Sequence, residues 1–175
     1  MPPPDRHAVL TPVPGEGDLG LVDALAQLTF AVHGALGRIA AAHDLSIVQA
    51  RLLGILRDRT PSIKELASFL QLDKSSVTGL VDRAQERGFV TRTASTLDRR
   101  SVQVTITAAG RQLVEGATAA FEAEVAALVV GLNPTQRTGL SATASLIVVA
   151  DARRRGVDIL DVAPIPIDKS TVPGT

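Results

Sequence analysis

Between Ser62 and Phe89 the sequence SIKELASFLQLDKSSVTGLVDRAQERGF carries two apolar stripes at helical spacing, set back to back. Ile63, Leu66, Ala67 and Leu70 fall at i, i+3, i+4 and i+7, and Val77, Leu80, Val81 and Ala84 repeat the pattern. Each set lines one face of a short helix. Only Gln71, Leu72 and Asp73 separate the two, a joint tight enough for a helix-turn-helix. The second helix hides its stripe and leaves Lys74, Ser75, Ser76, Thr78, Gly79 and Arg83 on its other faces. A small, polar, basic surface of that kind suits a helix entering a DNA major groove.

Local signals frame this pair. Ser62-x-x-Glu65 has the form of a capping box, and the Asp73 carboxylate can accept from the N–H of Ser75 or Ser76. Gly88 supplies a left-handed end to the second helix. Upstream, Ser46-x-x-Gln49 opens another helix striped by Val48, Leu52, Leu53 and Leu56 and broken by Asp58 to Pro61. After Gly88 the apolar period changes from helical to alternating. Phe89 to Thr93 and Val102 to Ile106 read as strands, joined by the polar loop Ala94 to Ser101. The tip reads Thr96-Leu97-Asp98-Arg99-Arg100, and from Arg83 to Arg100 five arginines face two carboxylates, Glu86 and Asp98. In a chain of zero net charge this is a local basic patch, and arginine suits minor-groove insertion and phosphate contact.

Long helices flank the lobe. Leu21, Leu25, Leu28, Val32, Leu36 and Ile39 step by three or four between Leu19 and His43. Leu113, Ala117, Phe121, Val125 and Leu128 stripe a helix that Thr107 can cap. Asn133-Pro134-x-Gln136 starts a last helix, with Leu140, Ala144, Ile147 and Val148 apolar and Arg153 to Arg155 in its final turn. Too little chain remains to cover these stripes, so a second copy of the chain is the expected cover, and two-fold symmetry would match a palindromic site. The predicted class is mainly α (α+β): a winged helix-turn-helix lobe over 46–107, a helical dimerisation region from 19–45 and 108–155, a disordered arm over 1–18 and a proline-containing tail over 156–175.

Composition narrows the chemistry. Aromatics are 2% of the chain, which argues against single-strand binding by base stacking. There is no cysteine, hence no disulfide, thiolate metal site or thiol switch. No signal-peptide core and no run of about 18 apolar residues is found, so a cytoplasmic protein without membrane contact is expected. His7, His33 and His43 lack the spacing of a chelating pair, and no catalytic constellation or phosphate loop stands out. Neither a metal, a cofactor nor enzyme activity is expected. His33, His43 and Arg51 are the polar residues placed to meet a small molecule near the long helices.

The run DRRSVQVTIT, Asp98 to Thr107, followed by Ala108-Ala109-Gly110-Arg111, resembles the wing signature of the MarR family of bacterial transcription regulators, with Ile106 where the family has Leu. Ser75 to Arg92 is similar to the family's recognition helix and first wing strand, with Ala84 and Phe89 where Leu is usual. The resemblance implies a homodimer of winged lobes on a palindromic operator in double-stranded DNA. It places Ser75, Ser76, Thr78 and Arg83 in the major groove and Arg100 in the minor groove, with Lys74, Gly79, Arg92 and Arg99 alongside. Asp98 would brace the wing by pairing with Arg92 or Arg100. It also implies an anionic or phenolic effector between the dimer helices and the lobe, and a repressor's role. The cysteine-based oxidant sensing of some members is excluded here, and three scattered histidines do not make the zinc cluster of others. The alternative reading is a winged-helix module that docks protein without sequence-specific DNA binding.

Overall fold

The structure is a computed structural model, which describes residues 17–94 and 102–159. In chain order the elements are α1 (Gly20–Ala41), α2 (Ile47–Asp58), α3 (Ile63–Leu70), α4 (Lys74–Glu86), β1 (Val90–Ala94), β2 (Val102–Ile106), α5 (Ala108–Leu128) and α6 (Pro134–Arg154). The fold is the mainly helical winged class that the sequence predicts. The arm before residue 17, the wing tip 95–101 and the tail beyond 159 lie outside the described residues.

Every helix but α1 starts at a side-chain cap. The capping boxes Ser46/Gln49, Ser62/Glu65 and Asn133/Gln136 are all closed, the N-cap side chain accepting from the third residue while that residue's side chain accepts from the cap's N–H. The turn between α3 and α4 has one feature with no local signature. Gln71 sits in the left-handed region at φ 58°, which turns the chain within three residues. Gly88, at φ 74°, closes α4 as a glycine end should.

The core is the lobe. Leu52, Leu53 and Leu56 of α2, Leu66 of α3, Val77 and Val81 of α4, Val90 of β1 and Val104 of β2 are the largest fully buried side chains. Burying each stabilises by roughly 1.5–3 kcal/mol. β1 and β2 pair antiparallel, Val90 opposite Ile106 and Arg92 opposite Val104. The hairpin is sewn to the helices by its backbone: Val104 N–H donates to Pro61 O at 2.9 Å, and Thr107 N–H to Phe89 O at 2.9 Å. There α5 also begins. The Thr107 hydroxyl donates to Gly88 O at 2.7 Å and accepts from Gly110 N–H at 3.1 Å. Gly110 packs so closely on β1 that a Cβ there would stand 2.2 Å from Phe89 O.

Outside the lobe, burial is sparse. Leu21, Val22 and Phe30 of α1 and Leu146, Ile147 and Val148 of α6 are exposed, and Ala152 is the one buried residue of α6.

Candidate nucleic-acid interface and ligand cleft

α4 buries Val77, Leu80, Val81 and Ala84 and exposes Lys74, Ser75, Ser76 and Arg83, with Thr78 and Gly79 half-buried at the edge. Its N-terminus is tied by Asp73. One carboxylate oxygen accepts from Ser76 N–H at 2.8 Å and from the Ser75 hydroxyl, and the other accepts from the Ser76 hydroxyl at 2.6 Å. These hydrogen bonds, the two hydroxyls first, hold the Asp73 carboxyl well below the usual carboxylate range. The Thr78 hydroxyl donates within the helix, to Lys74 O at 2.8 Å. Arg83 folds back along the same face, its Nη1 3.5 Å from where a Gly79 Cβ would be, an ordinary contact distance. Ser75, Ser76, Gly79 and Arg83 share a shallow groove with Ser46 and Val48 at the start of α2.

Arg92 is engaged within the protein. Its Nη2 pairs with Asp82 at 2.5 Å and its Nη1 donates to Gln85 Oε1 at 2.9 Å, fixing β1 to the outer face of α4. Its expected partner Asp98 lies outside the described residues, as do Arg99 and Arg100.

Arg87, read in the sequence only as one more positive charge, clasps the end of α1. Its two Nη atoms donate to Asp44 O at 2.7 Å and His43 O at 3.0 Å, and its guanidinium stacks on Phe89, 4.9 Å from the ring centre. This arginine links the end of α4 to the segment just after α1 across 43 residues of sequence, and no local pattern announces it.

A second site lies between α1, α2 and α5. It is a cavity of about 530 Å³ with apolar walls that include Leu36, Ile39, Leu53, Leu113 and Phe121. His43 and Arg51 line it, while His33 stands exposed on α1 and is not part of the lining. Arg51 gives one Nη donor to Phe69 O at 2.8 Å. Three further polar residues line the cavity: Arg57, which the sequence does not single out, and Asp58 and Arg59, which it marks only as part of a helix break. Arg57 and Asp58 pair at 2.6 Å, and their hydrogen bonds raise the guanidinium's pKa and lower the carboxyl's. Arg59 clasps backbone as Arg87 does. It donates to Asp158 O at 3.0 Å and to Ile159 O, and stacks on Phe69 at 4.9 Å. Among the described residues no group of three or more His, Asp or Glu is placed to hold a metal ion, and no helix is long and apolar enough to cross a membrane.

A model of the MarR family matches residues 43–101, from the start of the α1–α2 corner to the wing tip. The HTH-type transcriptional regulator YfiV of Bacillus subtilis is 35% identical over 74 residues, which are 42% of this chain and 46% of that protein. The chain therefore spans about half the length of this curated relative. Two solved structures are similar beyond the lobe. CouR of Rhodococcus jostii RHA1, bound to p-coumaroyl-CoA, is 27% identical with a TM-score of 0.61, over 71% of this chain and 88% of that one. A MarR-family transcriptional regulator of Rhodococcus sp. RHA1 is 26% identical with a TM-score of 0.63, over 74% of this chain and 96% of that one. The family model falls on the winged lobe and these structures follow the chain through its flanking helices, so the chain is similar to MarR-family regulators in both regions.

Proposed function

We propose that this protein is a cytoplasmic transcription regulator that binds double-stranded DNA as a homodimer and is released by a small anionic or phenolic effector, so that it acts as a repressor. The observation that carries this reading is the division of α4: a fully packed stripe of Val77, Leu80, Val81 and Ala84 behind an exposed face of Lys74, Ser75, Ser76 and Arg83, with a hairpin beside it. A helix held that firmly and presented that openly fits a major groove, and the wing would follow the adjacent minor groove through Arg99 and Arg100. The exposed apolar faces of α1 and α6 support a two-fold partner. The cavity between α1, α2 and α5 supports the effector, since its walls are apolar with a few cations at one end. CouR, solved with an aromatic acyl-CoA, gives the ligand class a precedent of its own.

The test is a mobility shift of promoter fragments from the protein's own locus. Binding is expected to weaken steeply with salt, because phosphate contacts dominate affinity. Arg83→Ala should cost at least about tenfold in affinity while leaving the fold unchanged. A purified protein that shifts no such fragment at low salt would overturn this reading in favour of a protein-docking module.

A further inference from the structure

After α6 the chain turns back on itself. Gly156, at φ 67°, ends the helix, and Val157 N–H donates to Ala152 O at 3.0 Å. Val157 is buried, and Ile159 reaches the cavity and forms part of its wall. What holds this strap is Arg59, in the loop between α2 and α3, through the carbonyls of Asp158 and Ile159. Arg59 also borders a second depression, on the side of Gly156 and Val157, so it stands as a partition between the strap and the cavity.

The three cavity arginines are not equivalent. Arg57 is neutralised by Asp58 at 2.6 Å. Arg51 is anchored on the main chain of α3. Arg59 directs its donors at two neutral carbonyls of the segment that follows α6. A carboxylate or sulfonate offers the guanidinium a full opposite charge and a bidentate acceptor, which a neutral carbonyl does not. An anionic ligand in the cavity can therefore take Arg59 from the strap.

We propose that Arg59 is the anion-anchoring residue of the cavity and that residues 157–159 are its built-in competitor. The proposal rests on the effector reading of the cavity. In the empty state the strap shields Arg59 and Ile159 fills part of the apolar space. A ligand with an apolar body and an anionic group replaces both, the body taking the place of Ile159 and the anion that of the two carbonyls. Because Ala152 and Val157 are where α6 and its extension are buried, releasing the strap also releases the end of α6 from the loop between α2 and α3. Occupancy of the cavity would thus change how a flanking helix is tied to the DNA-binding lobe.

Two fluorescent dyes of one skeleton separate the parts: 1-anilinonaphthalene-8-sulfonate, an anion, and N-phenyl-1-naphthylamine, which is neutral. Each is titrated into the full chain and into Arg59→Gln and Ile159→Ala. Arg59→Gln should lower the ratio of anionic to neutral dye affinity by about tenfold, as expected for losing a charge-assisted anchor, and should tighten the neutral dye by loosening the strap. Ile159→Ala should tighten both dyes several-fold and leave their ratio unchanged. A ratio unaltered by Arg59→Gln overturns the anchor, and dye affinities unaltered or weakened by Ile159→Ala overturn the strap. The effector reading itself fails on a different result, namely saturating anionic dye leaving the mobility shift of promoter DNA unchanged.

Discussion

In the winged lobe Leu52, Leu66, Val77 and Val104 are at 0% exposure, while Leu21 of α1 and Leu146 of α6 keep 75% and 73%. Both regions carry apolar residues at helical spacing. What separates them is whether the stripe meets another element of the same chain. The lobe closes within one copy: three helices and a hairpin each turn one face inward, and the hairpin's backbone fills the gap beside Pro61. α6 turns its apolar residues to no such neighbour. A stripe therefore reports that a face needs covering, and the covering element has to be found elsewhere.

This contrast can be broken at several strengths. The largest effect is expected from Leu66→Ala, which opens a cavity in the closed region; about 2–5 kcal/mol should be lost in denaturant unfolding, at every protein concentration. Gly110→Ala strikes the seam between hairpin and α5, where the new methyl would meet Phe89 O, and should cost about 1–3 kcal/mol in the same measurement. Leu146→Asp belongs to the open region. It should leave lobe packing intact and raise the dissociation constant of the proposed dimer by at least about tenfold, read by sedimentation. If it instead unfolds the isolated protomer as Leu66→Ala does, the contrast between the regions is lost. Asp73→Ala probes the edge of the lobe. The depressed carboxyl stabilises α4 fully above the ordinary aspartate pKa of about 4 and progressively less as pH falls below it. The drop in melting temperature caused by this substitution should therefore be constant near neutrality and shrink in acid. Smallest of all is Arg38→Ala, which removes an ion pair to Glu124 whose side chains are 66% and 41% exposed; less than about 1 kcal/mol is expected.

Most of the lobe was legible because its determinants are local. Ser46, Ser62, Asp73 and Asn133 cap helices through residues three positions on, and the change from helical to alternating period marks the hairpin. Gln71 was not legible, since its left-handed backbone is imposed by the packing of α3 on α4 and costs a non-glycine residue about 1 kcal/mol. The arginine clasps were also invisible. Arg87 and Arg59 bind main-chain carbonyls 43 to 100 residues away, and a carbonyl carries no side-chain signature. For the same reason the cavity's polar lining is only half legible: His43 and Arg51 stand there, His33 does not, Arg57 carries no local signal, and Asp58 and Arg59 read as part of a helix break. Arg92 shows how a charge can be placed correctly on the hairpin and still be occupied, by Asp82 and Gln85.

The way Asp73 holds its helix has a consequence for molecular reading. The carboxylate collects the protons of both the Ser75 and Ser76 hydroxyls, so each serine meets the outside with lone pairs only. Serine is ordinarily ambidextrous toward base edges; here the neighbour has chosen a hand. The complement of an acceptor is an exocyclic amine, cytosine N4 or adenine N6. Sites selected from random DNA should carry such an amine under the first turn of α4, and the preference should relax when Asp73→Ala frees the two hydroxyls to donate.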